Sequence, residues 1–280
     1  MTLPMIRKKD CHLNLDKSVA IVMGASGAIG SATVRALAAA GATVVLAAPA
    51  AETDLLDKLC AEAQRAGAPA LVVPTDVTIR AEIDRLVKTT LATFETVDIL
   101  VNAAGVGSSA ALCDDNDNDL QRVIEVNLLG CARTIHAVLP VMRMQGSGSI
   151  INIGSVAGEA AIMGIYSASK FGLRGLTDSV RRETRSSNIG VTLIEPGFLR
   201  SKMNASMGNG LPSPDIVARA VVRSVLRPRR SVIVPRYYAG LACFAKLFPG
   251  LIDCIFGDPR VQQRLNRDTR AQKTPSTGSE

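Results

Sequence analysis

Tyr166 and Lys170 stand four residues apart in the stretch Tyr166-Ser167-Ala168-Ser169-Lys170, a spacing that makes two side chains neighbours on one face of a helix. The residues that follow, from Phe171 to Val180, carry apolar side chains at helical intervals, which predicts that geometry. An ammonium beside a phenol favours the deprotonated phenol. A tyrosine so placed can exchange a proton near neutral pH, where an ordinary one with a pKa of about 10 cannot. Alone, the pair is weak evidence, because a Tyr and a Lys four apart usually mean a solvated helix face.

The run Ser149-Ile150-Ile151-Asn152-Ile153-Gly154-Ser155 reads as an apolar strand closed by a glycine and a hydroxyl. Open α/β sheets place their ligands at the carboxyl ends of strands, so Ser155 is expected in a crevice beside Tyr166. Taken singly it is a loop serine; with Tyr166 and Lys170 the functional reading prevails.

These side chains need a scaffold, and the chain supplies one in order. A buried strand, residues 18–23, runs into Gly24-Ala25-Ser26-Gly27-Ala28-Ile29-Gly30 and then a predicted helix over 31–40. Strand, glycine loop and helix together form the arrangement that receives a pyrophosphate on backbone N–H groups. The bland alternative is a tight turn without a ligand. A second strand, Thr43–Ala47, ends at Ala48-Pro49, where an acid would bond a ribose and a base would accept a 2′-phosphate. Neither is present, and the missing acid leans the expectation towards NADP(H) over NAD(H).

Further strands are expected at 70–74, 97–101, 190–195 and 231–234, with helices at 54–66, 80–94, 120–144, 166–187 and 214–226. This alternation predicts a Rossmann-type α/β fold, a doubly wound parallel sheet in a single domain. Composition agrees: the chain of 280 residues is 47% hydrophobic and 20% charged with no Trp. Its core volume must come from Val, Ile, Leu and Ala, as in a sheet covered on both faces. Six scattered cysteines and two histidines suggest neither a zinc site nor a disulfide framework, and fit reduced thiols in a cytoplasmic protein. Residues 1–17 lack the apolar core of a signal peptide.

Between about Ser18 and Val234 the chain resembles the classical short-chain dehydrogenase/reductase family. The motifs that carry the resemblance are the Gly24 to Gly30 loop, Asp76-Val77, Asn102-Ala103-Ala104-Gly105, Ser155 with Tyr166 and Lys170, and Pro196-Gly197-Phe198. The resemblance implies an NAD(P)-dependent oxidoreductase interconverting a carbonyl and an alcohol. It assigns Asn127, Ser155, Tyr166 and Lys170 to a catalytic tetrad, with Asn127 anchoring a water that relays protons to Lys170. It also gives Asp76 an adenine contact, and places Asn102-Ala103-Ala104-Gly105 under the nicotinamide and Pro196-Gly197-Phe198 beside its carboxamide. Lys170 would also hold ribose hydroxyls. Without the family, Asn127 reads as a locally satisfied helix residue. Departures are Ala28 in place of a second glycine, Ala103 in place of a second asparagine, Pro49 in place of an arginine, and a Ser155–Tyr166 spacing of eleven residues, about two short of the family's habit.

The expected layout is a lead-in at 1–17, a catalytic domain at 18–235, an apolar helical extension at 236–258 and a basic tail at 259–280. Residues 198–211 read as a flexible lid in which Met203 and Met207 could line an apolar pocket. In the extension, Phe244, Phe248, Leu251, Ile252 and Ile255 recur at near-helical spacing through Pro249. The dull account is a helix packed on the domain; the sharper one is a cover over a small hydrophobic substrate or a peripheral membrane contact. Residues 219–280 hold twelve Lys/Arg against four Asp/Glu, so the surplus of charge sits at the carboxyl end. No recognition motif for nucleic acid accompanies it, and no metal site is expected. Ala168, Gly172 and Gly175 would admit a close neighbour on one helix face, and the resemblance implies a homodimer or homotetramer. A non-catalytic dinucleotide-binding regulator or scaffold is the competing function class, and the intact Tyr166 and Lys170 weigh against it.

Overall fold

Runs of Val, Ile, Leu and Ala without polar interruption form strands that are buried on both faces, as parallel strands require. The computed structural model describes residues 13–108, 112–201, 204, 210–258 and 261. In chain order the elements are β1 (Val19–Met23), α1 (Ala28–Ala39), β2 (Thr43–Ala47), α2 (Thr53–Arg65), β3 (Ala70–Val72), α3 (Arg80–Phe94), β4 (Ile99–Asn102), α4 (Asp117–Ile124), α5 (Cys131–Gln145), β5 (Gly148–Ile153), α6 (Ala157–Ala160), α7 (Gly164–Glu183), β6 (Ile189–Pro196), α8 (Asp215–Leu226), β7 (Ser231–Val234), α9 (Tyr237–Leu247) and α10 (Pro249–Phe256).

The seven strands form one parallel sheet in the order β3-β2-β1-β4-β5-β6-β7. Strand order reverses between β1 and β4, and a crevice opens at such a switch point beyond the carboxyl ends of the strands. One face is closed by α1, α2 and α8 through Val34, Leu37, Leu56, Val217 and Val221. The other is closed by α3, α5 and α7 through Leu86, Val87, Ile135, Val138, Met142 and Val180.

Four expectations shift. The helix after the glycine loop begins at Ala28, so Ala28 and Ile29 belong to its first turn. The third strand stops at Val72, and the helix carrying Tyr166 starts at Gly164. The helix expected over 120–144 is interrupted by a π-helical turn, Glu125–Gly130, between α4 and α5. Such turns insert one residue into a helix and re-aim its side chains, a device common at functional sites. The small-residue face on α7 admits a neighbour at Gly172, where a β-carbon would lie 3.0 Å from Leu128 Cδ2, whereas Gly175 has open space.

The carboxyl-terminal extension is helical, as its spacing predicts. The path turns by 102° between α9 and α10, at Pro249, and Phe244, Leu247, Phe248, Leu251 and Ile255 are exposed. The expected tail over 259–280 lies, apart from Val261, outside the described residues, as does most of the lead-in.

Candidate active site

The glycine loop is built against the end of β4. Gly24 has φ +73°, and a β-carbon there would stand 2.6 Å from Ala104 Cα and N, so only glycine fits. A β-carbon on Gly30 would meet Gly24 O at 2.0 Å. Gly27 caps α1 without any side-chain hydrogen bond to the first turn. That leaves the positive end of a three-turn helix to backbone groups and whatever lies over them. Ala28, where the family has a second glycine, is the first residue of α1.

Asn102 is buried and works under the sheet end. Its Nδ2 donates to Asn152 Oδ1 at 2.9 Å, and its Oδ1 accepts from Thr134 Oγ1 at 2.7 Å; Asn152 in turn donates to Thr177 Oγ1 at 2.9 Å. This satisfied polar chain ties α5, β4, β5 and α7 into one register. The Ala103 N–H donates to Met23 O at 3.0 Å, which fixes the start of the segment that reaches Ala104 and Gly105. Asp76 uses Oδ1 to accept from the Thr78 N–H and Thr78 Oγ1, both at 2.8 Å. Val77 is buried against Gly130 in the π turn, where a β-carbon would be 2.8 Å from Val77 Cγ2.

Two of the four expected catalytic residues, Asn127 and Lys170, flank Gly105, and Tyr166 lies beside Lys170. The Lys170 ammonium is 5.7 Å from the centroid of the Tyr166 ring and donates to Ile153 O at 3.1 Å. A β-carbon on Gly105 would be 3.5 Å from Lys170 Nζ and 3.3 Å from Asn127 Oδ1. Lys170 is buried, with the Cys131 thiol in its field: burial pushes that thiol up to about 11, and the ammonium pulls the other way. Asn127 is fully buried. Its Oδ1 accepts from the Val106 N–H at 2.9 Å, and its Nδ2 donates to Val106 O at 2.9 Å and to Ser169 Oγ at 3.1 Å. Both amide hydrogens are committed, so the side chain positions the loop after β4.

Ser155 sits two residues past the end of β5 and accepts the Ala157 N–H on its Oγ at 3.1 Å. That bond uses an oxygen lone pair and leaves the hydroxyl hydrogen to point elsewhere. The short connection to Tyr166 contains α6, and Arg174, one turn beyond Lys170, holds it. The Arg174 guanidinium pairs with Glu159 on α6 and with Glu195 on β6, and Ser231 Oγ donates to Glu195. Both carboxylates are almost wholly buried, so Arg174 compensates charges that would otherwise be costly.

Pro196-Gly197-Phe198 follows β6, and Gly197 donates its N–H to Val234 O at 2.8 Å. A β-carbon on Gly197 would lie 2.1 Å from the ring of Tyr238 on α9. The Phe198 N–H bonds the Tyr238 hydroxyl; burial pushes that phenol up, and the bond to Phe198 acts against it. The extension thus touches the site at one ring, a long-range contact that spacing along the chain does not reveal. Met203 and Met207 lie outside the described residues. Also missed were Asn152, Thr134 and Thr177, whose only sequence signal was a polar residue amid apolar runs, and Glu52, whose carboxylate accepts from Ser26 Oγ.

A parallel sheet with a glycine cradle at its switch point, and a Tyr–Lys pair across the crevice, defines a dinucleotide-binding oxidoreductase. The cradle that β-carbons at Gly24 and Gly30 would fill, with Lys170 and Gly105 opposite, fits a nicotinamide dinucleotide. The short chain dehydrogenase family matches residues 18–211. A 3-oxoacyl-[acyl-carrier-protein] reductase of Synechocystis is 40% identical over 195 residues, covering 69% of this chain and 78% of that protein. An uncharacterised oxidoreductase of Staphylococcus saprophyticus is 32% identical over 237 residues, covering 79% and 94%. A crystal structure of an actinorhodin polyketide ketoreductase variant with NADPH superposes with a TM-score of 0.73 at 28% identity, covering 79% of this chain and 96% of that one. The chain belongs to the short-chain dehydrogenase/reductase family and is an NAD(P)-dependent oxidoreductase.

Proposed function

We propose that this oxidoreductase interconverts a ketone or aldehyde and an alcohol by hydride transfer, with Tyr166 as the general acid and base. The observation that carries the reading is the Lys170 ammonium held 5.7 Å from the Tyr166 ring by its bond to Ile153 O. When bound, the nicotinamide supplies or accepts the hydride. In reduction, Tyr166 gives its proton to the carbonyl oxygen as negative charge grows there. Lys170 keeps a positive charge beside the phenol at that moment, and Ser155 points its hydroxyl hydrogen at the same oxygen. Asn127 keeps Val106, and through it the floor of the site, in register. In oxidation the same groups run in reverse, with Tyr166 receiving the alcohol proton.

The substrate is proposed to be small and hydrophobic, of lipid, steroid or acyl type. Support comes from α9, which borders the site at Tyr238 and continues into exposed apolar side chains. The names of two relatives, an oxoacyl reductase and a polyketide ketoreductase, point to carbonyls on acyl chains in those proteins. The end of β2, with Ala48 and Pro49, leans towards NADP(H), and Glu52 weighs against it.

Replacing Tyr166 with Phe tests the mechanism. Dinucleotide binding, followed by nicotinamide fluorescence, should persist, while turnover on a panel of ketones and alcohols should fall about 10²–10⁴-fold. Undiminished turnover in the variant would remove Tyr166 from the mechanism.

A further inference from the structure

Glu52 places a carboxylate on the glycine loop. Ser26, two residues into that loop, donates its hydroxyl to Glu52 Oε2. Glu52 closes a single 3₁₀ turn, Ala50–Glu52, just beyond β2. β2 pairs in register with β1, the strand that feeds the loop, from Val19 against Thr43 to Met23 against Ala47. The carboxylate therefore stands on the β2 side of the pyrophosphate cradle. On that side an acid accepts hydrogen bonds from a ribose diol, and a base accepts a 2′-phosphate. Ala48 and Pro49 at the strand end can do neither. Among the described residues no lysine or arginine forms an ion pair with Glu52, and Arg35 on α1 is engaged with Glu62 at 2.8 Å. Ser26 and Glu52 are both half-buried, so solvent screens the carboxylate only in part.

We infer that Glu52 is the residue that selects the dinucleotide, by accepting the adenosine ribose hydroxyls and repelling a 2′-phosphate, and that the chain binds NAD(H) in preference to NADP(H). The acid absent from the end of β2 is supplied five residues later by the 3₁₀ turn, and the hydrogen bond from Ser26 orients it. The leaning drawn from Ala48 and Pro49 is thereby reversed: among the described residues no cation pairs with Glu52, and its carboxylate adds a like charge beside a phosphate dianion. The inference rests on the reading of the site as a nicotinamide dinucleotide site.

The test is equilibrium binding. NADH and NADPH are titrated against the full chain by nicotinamide fluorescence, and NAD⁺ and NADP⁺ by protection against thermal unfolding. The unaltered chain should bind NADH at least about tenfold more tightly than NADPH. Glu52→Gln should close most of that gap, mainly by tighter NADPH binding, and Glu52→Lys should invert it. NADPH binding as tight as NADH in the unaltered chain overturns the inference, and that measurement needs no variant to fold. A ratio unmoved in Glu52→Gln, with both nucleotides bound, also overturns it while leaving the dinucleotide site standing. Failure of both nucleotides to bind would bring down this inference and the dinucleotide site together.

Discussion

Asn127 grips Val106 at both backbone poles, accepting its N–H and donating to its carbonyl, each at 2.9 Å. A side-chain amide used in this way substitutes for the strand neighbour that Val106, just past β4, no longer has. The π turn makes it possible by rotating one helix residue inward. Replacing Asn127 with Ala leaves two peptide groups without these partners, at a cost of about 2–4 kcal/mol. We expect a melting temperature lower by roughly 4–12 °C on calorimetry. A melting point unchanged in Asn127→Ala would show that the clamp is without energetic consequence.

Glycines at the crevice should differ in what they protect. Gly30→Ala forces a β-carbon to 2.0 Å from Gly24 O and should abolish dinucleotide binding. Gly105→Ala presses on Asn127 Oδ1 at 3.3 Å, beside Lys170 Nζ at 3.5 Å. It should bind cofactor within severalfold of the unaltered chain yet turn over at least about tenfold more slowly. Gly175→Ala, in open space on α7, should gain about 0.5–1 kcal/mol from helix propensity and serves as the control. Parallel fluorescence titrations and initial rates on all three would expose any other ranking.

Tyr238 and Gly197 should be coupled. Gly197→Ala alone drives a methyl into the Tyr238 ring, 2.1 Å away, and should cost stability and cofactor affinity. In a Tyr238→Ala background the same change meets no ring and should be nearly silent. The double-mutant cycle should return a coupling of about 1–3 kcal/mol, and additive losses would mean that the ring is not the obstacle. Tyr238→Phe, which keeps the ring but loses the Phe198 partner, isolates the hydrogen bond.

Cys131 should resist thiol reagents. Its thiol is buried and pushed up to about 11, so at pH 8 it is almost wholly protonated, and the thiolate is the reactive form. Cys113, Cys243 and Cys254 are exposed and should be alkylated first, as mass spectrometry of tryptic peptides would register. Labelling of Cys131 should rise only as pH approaches 11, because burial favours the neutral form. Early modification at pH 8 would contradict the packing around Lys170.

Much of this arrangement was legible in local patterns. The strands are continuous apolar runs, the Tyr166–Lys170 pair is an i, i+4 relation, and the glycine loop lies directly between β1 and α1. Each of these is a statement about neighbours in sequence. The features that escaped are long-range. Glu52 meets Ser26 across twenty-six positions, and Tyr238 reaches Gly197 only because β7 is threaded beside β6. Asn152 and Thr134 looked like polar blemishes in apolar segments until β4 and β5 were paired. The π turn escaped because one inserted residue is lost in the ordinary scatter of a helical hydrophobic pattern.

The reversal of strand order divides labour along the chain. Everything proposed to hold the phosphates and the adenosine ribose comes from β1, β2 and the turns after them, whereas every proton-handling group arises from beyond β4. The two halves meet at a seam no wider than Gly24 against Ala104. A lineage could therefore change which coenzyme it prefers by editing the turn after β2, with Tyr166 and Lys170 left where they stand.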